Sequence, residues 1–195
     1  MLQIVLIRPG STDYDQQHRI QGTLDVPLNE QGSSEVAQVI EQLAELGIET
    51  VYAPACQPAE QTGVAIAKGL GVKLKKLDRM QNLDQGLWQG MRVEDVRQKQ
   101  PKAYRQWQEQ PENVCPPEGE MLVDAEQRVR TGISKLLKRH KQGGVIGLVV
   151  PEPLASLVRH VVRDEELGDL WKVTNGHGQW EVLEIEPETV LANGS

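Results

Sequence analysis

The chain contains no phenylalanine, only two cysteines and no apolar run long enough to span a membrane. Two isolated cysteines cannot form a disulfide framework and are typical of a reducing compartment, so we expect a cytoplasmic protein without a signal peptide. Basic residues are outnumbered, with 21 Lys and Arg against 28 Asp and Glu. The net charge of −7 argues against nucleic acid or an anionic membrane as the main partner, although a small anionic ligand would depend on local charge alone.

Alternating strand and helix patterns indicate an α/β protein. Leu2–Ile7 and Val145–Val150 are continuous apolar runs, which are typical of parallel strands buried on both faces. Thr50–Tyr52 and Val72–Leu77 are shorter strand candidates, and Gln179–Ile185 alternates in the manner of an edge strand.

Helical spacing of apolar residues is found between these strands. Asn29 is a suitable N-cap for the first helix, and Gly47 is its predicted stop. The other predicted helices are Ala59–Leu70 (closed by Gly71), Val93–Gln100, Lys102–Gln108, Leu122–His140 and Leu154–Arg163. We therefore predict a three-layer α/β/α sandwich with a mostly parallel sheet, in one domain over residues 1–195 with a small helical insertion at about 80–121.

Three loops are expected to meet at one edge of this sheet. In open parallel sheets, ligands bind beyond the carboxyl ends of the strands. The segments that follow the predicted strands at this edge are Arg8–Thr12, Ala53–Pro58 and Pro151–Leu154. Pro9, Pro58, Pro151 and Pro153 fall in these loops, and proline restricts loop conformations. We call this edge the rim and predict the functional site there.

The motifs at the rim carry a family resemblance. The first strand leads into Arg8-Pro9-Gly10, then Arg19-Ile20-Gln21-Gly22 and Leu24–Leu28. This closely resembles the histidine phosphatase superfamily, in the branch that includes the cofactor-dependent phosphoglycerate mutases and their phosphatase relatives. The segments Met80–Gly90 and Pro116–Met121 extend the resemblance over nearly the whole chain. It implies a phosphoglycerate mutase-like fold and a site where a histidine takes up the phosphoryl group, arginines hold it and a carboxylic acid protonates the leaving oxygen.

Four residues depart from the pattern that the resemblance implies. Arg8 stands at the first arginine position, but Pro9 stands where the nucleophilic histidine is expected and Pro58 where the second arginine is expected. Asn82 replaces the acid and Glu152 the second histidine. Proline and asparagine supply neither a nucleophile nor a proton. A carboxylate ~4 Å from a phosphate would repel it by roughly 4 kcal/mol at an effective dielectric near 20, and loss of a nucleophile typically removes ~10⁴–10⁶ in rate.

We therefore predict a catalytically inactive, pseudophosphatase-type protein with no catalytic residue, no metal and no cofactor. Its pocket would serve as a binding or regulatory module. Arg8 and Glu152 should meet at the strand ends and form an ion pair that fills the pocket. The resemblance adds Arg19, Gln21 and Thr23 on the substrate side, so the predicted ligand-binding residues are Arg8, Arg19, Gln21, Thr23 and Glu152.

Other rim residues carry weaker expectations. Asp15, Asp84 and Glu120, together with Glu152, could make the rim acidic enough for a cationic ligand. His177 lies between two glycines and is expected in a turn that can approach the rim. His18 is expected on the surface, and Cys56 is expected to pack rather than react. Trp88 and Trp107 are expected in the core.

Two rival functions stay open. One is an active phosphatase or phosphoglycerate mutase that uses a different nucleophile or metal-activated water. The other is a structural subunit, which would need a substantial apolar interface. A small molecule or a protein could be the partner at the pocket, and the sequence leaves a homodimer open.

Overall fold

One mixed sheet of five strands organises the residues that the structure describes. These are residues 1–167, 169–171 and 176–185 of a computed structural model. The strands are β1 (Leu2–Ile7), β2 (Thr50–Ala53), β3 (Lys73–Lys76), β4 (Gly144–Val149) and β5 (Trp180–Ile185). Their order across the sheet is β3-β2-β4-β1-β5. The first four strands run parallel, and β5 pairs antiparallel with β1 at the edge, as its alternating pattern predicted.

Seven α-helices lie in the described part of the chain. They are α1 (Asp13–Gln16), α2 (Glu30–Leu43), α3 (Ala59–Leu70), α4 (Val93–Lys99), α5 (Pro101–Glu109), α6 (Leu122–Arg139) and α7 (Leu154–Arg163). Two single 3-10 turns, Gly86–Trp88 and Pro111–Asn113, flank α4 and α5. The predicted bounds are right to within two residues for α3 to α7. The capped turn α1 was not predicted.

The core has two parts, one on each face of the sheet. Leu2, Ile4 and Leu6 of β1 pack in the larger cluster, with α6, α7 and the helices of segment 80–121. Val5 and Ile7 pack in the smaller cluster, with α2 and α3. Alternate residues of one strand thus bury against opposite helix layers. This confirms the three-layer α/β/α arrangement.

Helix ends follow local chemistry, with one correction. The Asn29 side chain accepts a hydrogen bond from the Gly32 N–H at 2.8 Å, so the predicted N-cap is confirmed. Gly71 ends α3 with a left-handed φ of 69°. Gly47 was predicted to stop α2, but that helix ends at Leu43 and Gly47 lies in the following turn with φ 70°. A glycine with positive φ marks the turn here rather than the helix end.

The loop after β1 is pinned to the start of α2. A Cβ on Gly10 would collide with the Gly32 carbonyl, and a Cβ on Gly32 would collide with the Ser11 backbone. The Glu35 carboxylate accepts from the Ser11 N–H at 2.8 Å and from its hydroxyl at 2.9 Å. The chain can therefore turn sharply away from β1 directly after Arg8 and Pro9.

Strand register brings the rim loops together. Ile7 of β1 lies opposite Val149 of β4, and the Val150 N–H donates to the Ile7 carbonyl at 3.1 Å. Both strands therefore end at the same level, and their loops leave the sheet side by side. In the ranges 1–167, 169–171 and 176–185, no helix has the length and apolar character needed to cross a membrane.

Candidate functional site

A cavity of ≈ 80 Å³ opens at the carboxyl edge of the sheet. All three predicted rim loops line it, through Arg8, Pro9, Pro58, Glu152 and Pro153 among others. The prediction that these loops converge is confirmed. A volume of this size holds several water molecules or one small ligand.

The carboxylate of Glu152 is the most heavily contacted group in the cavity wall. Its Oε1 lies 3.4 Å from Arg8 Nη1 and 3.4 Å from Arg159 Nη2. Its Oε2 accepts from the Ser156 backbone N–H at 3.1 Å and from the Ser156 hydroxyl at 2.7 Å. Only 10% of the Glu152 side chain is exposed, so a partly desolvated carboxylate is held by two cations and the first turn of α7. The predicted Arg8–Glu152 ion pair is confirmed.

Arg8 is held by backbone on one side and by side chains on the other. Its guanidinium lies so close to Gly176 that a Cβ there would overlap it. Its Nη2 reaches Gln179 Oε1 only at 3.5 Å, and its own N–H donates to the Gln179 carbonyl at 2.9 Å. The loop before β5 therefore forms one wall of the cavity, behind Arg8.

Asn82 has a structural bond on each side of its amide. Its Nδ2 donates to the Glu152 carbonyl at 2.9 Å, and its Oδ1 accepts from the Leu83 N–H at 2.9 Å. The residue is 2% exposed. It connects the segment after β3 to the loop after β4, so this side chain supports the site from behind rather than lining the cavity.

The remaining predicted ligand residues are divided by the fold. Arg19 and Gln21 line the cavity. Arg19 Nη1 donates to the Gly90 carbonyl at 2.6 Å, and Gln21 Nε2 donates to the Gln57 carbonyl at 3.1 Å. Thr23 is exposed, lies outside the cavity lining and bonds Gln89 Oε1 through its N–H at 2.8 Å. Four of the five predicted ligand residues thus share one cavity and Thr23 does not.

The acidic-rim expectation is only half correct. Asp15 and Glu152 line the cavity, whereas Asp84 and Glu120 do not. Glu120 accepts from Arg128 Nη2, with a 2.6 Å contact, and from the Asp84 N–H at 2.9 Å. Among the described residues, no three His, Cys, Asp or Glu side chains are grouped so as to hold a metal ion.

His177 belongs to a turn that contributes to the cavity wall. It lines the cavity, and its Nε2 is buried 3.4 Å from Asp15 Oδ1. The other Asp15 oxygen accepts from the Thr12 N–H and hydroxyl, both at 2.7 Å, as part of the cap of α1. The predicted approach of this turn to the rim is confirmed.

The expectations for His18, Cys56 and the two tryptophans are confirmed. His18 is exposed, with φ 53°. Burial raises the pKa of the Cys56 thiol, which disfavours the thiolate that a nucleophile requires. Trp88 and Trp107 are fully buried and meet edge to face at 5.8 Å between ring centroids.

An aromatic wall was missed by sequence reasoning. Trp171 is 8% exposed, lines the cavity and lies 5.5 Å from Trp88 by ring centroids. Its indole N–H donates to Gln85 Oε1 at 2.9 Å, and Gln85 lines the same cavity.

Arg159 and Ser156 were missed as well. Their spacing of seven and four residues from Glu152 places them on one face of α7, and that helical pattern could have revealed them.

The fold and the charged cavity at the carboxyl edge define a phosphoglycerate mutase-like α/β protein. A model of the histidine phosphatase superfamily (branch 1) matches residues 4–193. The chain therefore belongs to the histidine phosphatase superfamily.

Two of the curated relatives carry enzyme names. Phosphoserine phosphatase 1 of Hydrogenobacter thermophilus is 26% identical over 186 residues, which cover 95% of this chain and 88% of the relative. A probable phosphoglycerate mutase, GpmB of an Enterobacter species, is 30% identical over 138 residues, which cover 71% of this chain and 64% of the relative.

Solved structures agree on the fold. YhfR of Bacillus stearothermophilus superimposes with a TM-score of 0.84 at 21% identity, over 95% of this chain and 92% of that one. The native mycobacterial glucosyl-3-phosphoglycerate phosphatase Rv2419c gives a TM-score of 0.80 at 23% identity, over 93% and 89%. At these identities the likeness establishes the architecture alone.

Proposed function

We propose that this chain is a non-catalytic member of the superfamily, a pseudophosphatase whose pocket serves a binding or regulatory role. The observation that carries the proposal is the state of Glu152, whose carboxylate lies 3.4 Å from Arg8. A dianionic phosphate ester would have to displace this carboxylate from Arg8 or share the space with it. The second arrangement is disfavoured by roughly 4 kcal/mol for unit charges ~4 Å apart at an effective dielectric near 20.

The residues beside this pair support the same conclusion. Pro9, which the resemblance aligns with the nucleophile, lines the cavity and offers no nucleophile. Pro58 lines it and offers no charge. Asn82, aligned with the proton donor, uses its amide to hold the Glu152 carbonyl at 2.9 Å. A small molecule or a protein segment inserted at the rim is the partner that this function needs.

An active phosphatase is the rival that one observation favours. His177 lines the cavity, and its Nε2 is 3.4 Å from Asp15 Oδ1. A histidine beside a carboxylate is similar to the pairs that activate a nucleophile or base, although Nε2 forms no hydrogen bond with the described residues. The enzyme names of the relatives point the same way. We rank this rival second because the Glu152 carboxylate already lies beside Arg8, where a substrate phosphate would have to bind.

A structural subunit has less support. The large apolar side chains exposed in the described residues are Met1, Leu24, Val64, Leu87 and Val123. Val64 is on α3, Leu87 is on a 3-10 turn and Val123 is on α6. Scattered apolar residues of this kind are normal on a monomer surface.

The deciding experiment is a phosphatase assay with an aryl phosphate, with and without Mg²⁺ or Mn²⁺. We expect no turnover above a blank from the wild-type chain under either condition. Turnover that is lost in Arg8→Ala would overturn the proposal. Loss in His177→Ala but not in the matched surface variant His18→Ala would then identify the rival mechanism, and metal dependence would point to activated water instead.

A further inference from the structure

The donors around Glu152 form a complete anion site. Two guanidinium groups, from Arg8 and Arg159, approach one oxygen at 3.4 Å each. A backbone N–H and a hydroxyl from Ser156 approach the other at 3.1 and 2.7 Å. The N–H belongs to the first turn of a ten-residue helix, where an anion is favoured by free N–H groups and by the helix dipole.

Arg159 is the unexpected member of this set. The resemblance gives the site a second arginine in the loop after β2, where this chain has Pro58. Arg159 comes instead from α7, and its side chain is 17% exposed. It also donates to the Ser156 hydroxyl at 2.7 Å, so the cation and the helix start are joined in one hydrogen-bonded unit. This chain thus keeps two guanidiniums at its anion site, one of them from a different element.

We propose that Glu152 is an internal anion that occupies an oxyanion site formed by Arg8, Arg159 and the first turn of α7. The wild-type pocket then excludes inorganic phosphate, and a chain that lacks this carboxylate binds it. The inference rests on the proposed function, because a pocket that turned over phosphate esters could not be filled by Glu152. It also defines the natural ligand as one that brings no oxyanion to this end of the cavity.

Contact lengths indicate that the site suits a larger anion than a carboxylate. Charge-assisted N–H···O bonds are usually about 2.7–2.9 Å, whereas both guanidinium contacts to Glu152 are 3.4 Å. The carboxylate is tied to its own helix turn by Ser156 and does not reach both arginines at full strength. A free tetrahedral oxyanion has more oxygen atoms and no tether, so it can approach the helix start and both guanidiniums together.

The test removes the internal anion and offers an external one. In Glu152→Ala, inorganic phosphate should bind at least about tenfold more tightly than to the wild-type chain, because a like charge has been removed from the site. Calorimetry gives the affinity directly. Trp171 in the cavity wall provides a second readout through intrinsic fluorescence. Glu181→Ala is the matched control, since it removes a carboxylate 3.1 Å from Arg159 on β5 without opening the helix start, and it should gain no phosphate binding.

Each result bears on the inference. The double variant Glu152→Ala/Arg159→Ala should lose the gained affinity. If Glu152→Ala is too unstable for calorimetry, its melting temperature or refolding yield should still rise with phosphate, but not with chloride at equal ionic strength. The inference is overturned if phosphate neither binds nor stabilises Glu152→Ala, or if it binds the wild-type chain equally well. These measurements need no catalysis, so turnover by the wild-type chain would remove the proposed function while phosphate binding to Glu152→Ala is judged separately.

Discussion

The Arg8–Glu152 pair lines the cavity, the Arg128–Glu120 pair does not, and the geometries of the two pairs differ. Arg128 contacts Glu120 at 2.6 and 3.0 Å, and it also donates to the carbonyls of Arg79, Gln81 and Asn82 at 2.7–3.1 Å. Arg8 reaches Glu152 at 3.4 Å and Gln179 at 3.5 Å. The two arginines are similarly buried, with 13% and 16% of the side chain exposed.

The difference in contact length indicates that Arg128 stabilises the fold, whereas Arg8 belongs to a binding site. Arg128 uses its donors at short range to tie three backbone carbonyls to α6, which is the arrangement expected of a fold-stabilising contact. Arg8 is equally desolvated but poorly bonded, so its position is not optimised for stability. An arginine held in place with weak bonds retains the capacity to bind a better anion.

The largest expected effect is on stability and comes from Arg128→Ala. Loss of this side chain leaves Glu120 and three carbonyls short of donors, so the free energy of unfolding should fall by about 3 kcal/mol. Urea denaturation measures this change. Arg130→Ala is the control on the same helix: among the described residues Arg130 pairs with Glu126 alone, at 2.7 Å within α6, and donates to no backbone carbonyl, so it should cost less than Arg128→Ala. Equal losses in the two variants would contradict the structural assignment of Arg128.

Arg8→Ala should destabilise the chain less, by about 1 kcal/mol. Glu152 would keep Arg159 and both Ser156 donors, so its carboxylate would not be left without partners. The same urea titration checks this value. A loss as large as that of Arg128→Ala would mean that Arg8 is a structural residue, and the comparison between the two pairs would fail.

Pro9→His alone should leave phosphatase activity at the background level. The new imidazole would stand beside an Arg8 that is already engaged by Glu152, and Pro58 and Asn82 would be unchanged. The aryl phosphate assay of the wild-type chain applies without change. Robust turnover from this single substitution would show that Glu152 does not close the site.

The smallest effect concerns pH and a histidine at the opposite edge of the sheet. Burial, followed by the charge of Lys75, lowers the pKa of His140, whose Nε2 lies 2.9 Å from the Tyr52 hydroxyl. The unfolded chain therefore binds a proton more readily than the folded chain. The contribution of His140 to the free energy of unfolding should be constant above a pH of about 6.5 and should decline as the pH falls through that value. Urea unfolding between pH 8 and 5 should show this decline in the wild-type chain and not in His140→Gln.

Much of the fold could be read from local patterns. Apolar runs and alternation defined the strands, Asn29 and Gly71 marked helix ends, and the strand–helix order implied the three layers. The convergence of the rim loops followed from that topology, as did the meeting of Arg8 with Glu152. Periodicity and capping act over a few residues, so they are visible in a linear sequence.

The detailed charge pattern at the site depended on the tertiary structure. Arg159 of α7 lies 3.4 Å from Glu152 and 3.1 Å from Glu181 of β5, so its position depends on how α7 packs beside the rim and the sheet edge. Thr23 was predicted among the ligand residues, yet it is held away from the cavity by Gln89. Asp84 and Glu120 were expected at the rim, yet the Arg128 contacts hold Glu120 elsewhere.

Element type, element order and the identity of the residues at the rim were therefore encoded locally. Which other charged groups pair was decided in three dimensions, since Arg159 and Glu181 lie on α7 and β5, 22 positions apart in the chain, and nothing in the sequence linked them. A charged side chain chooses among partners by distance, burial and competing donors. Those quantities exist only once the sheet has brought the loops together and excluded water from between them.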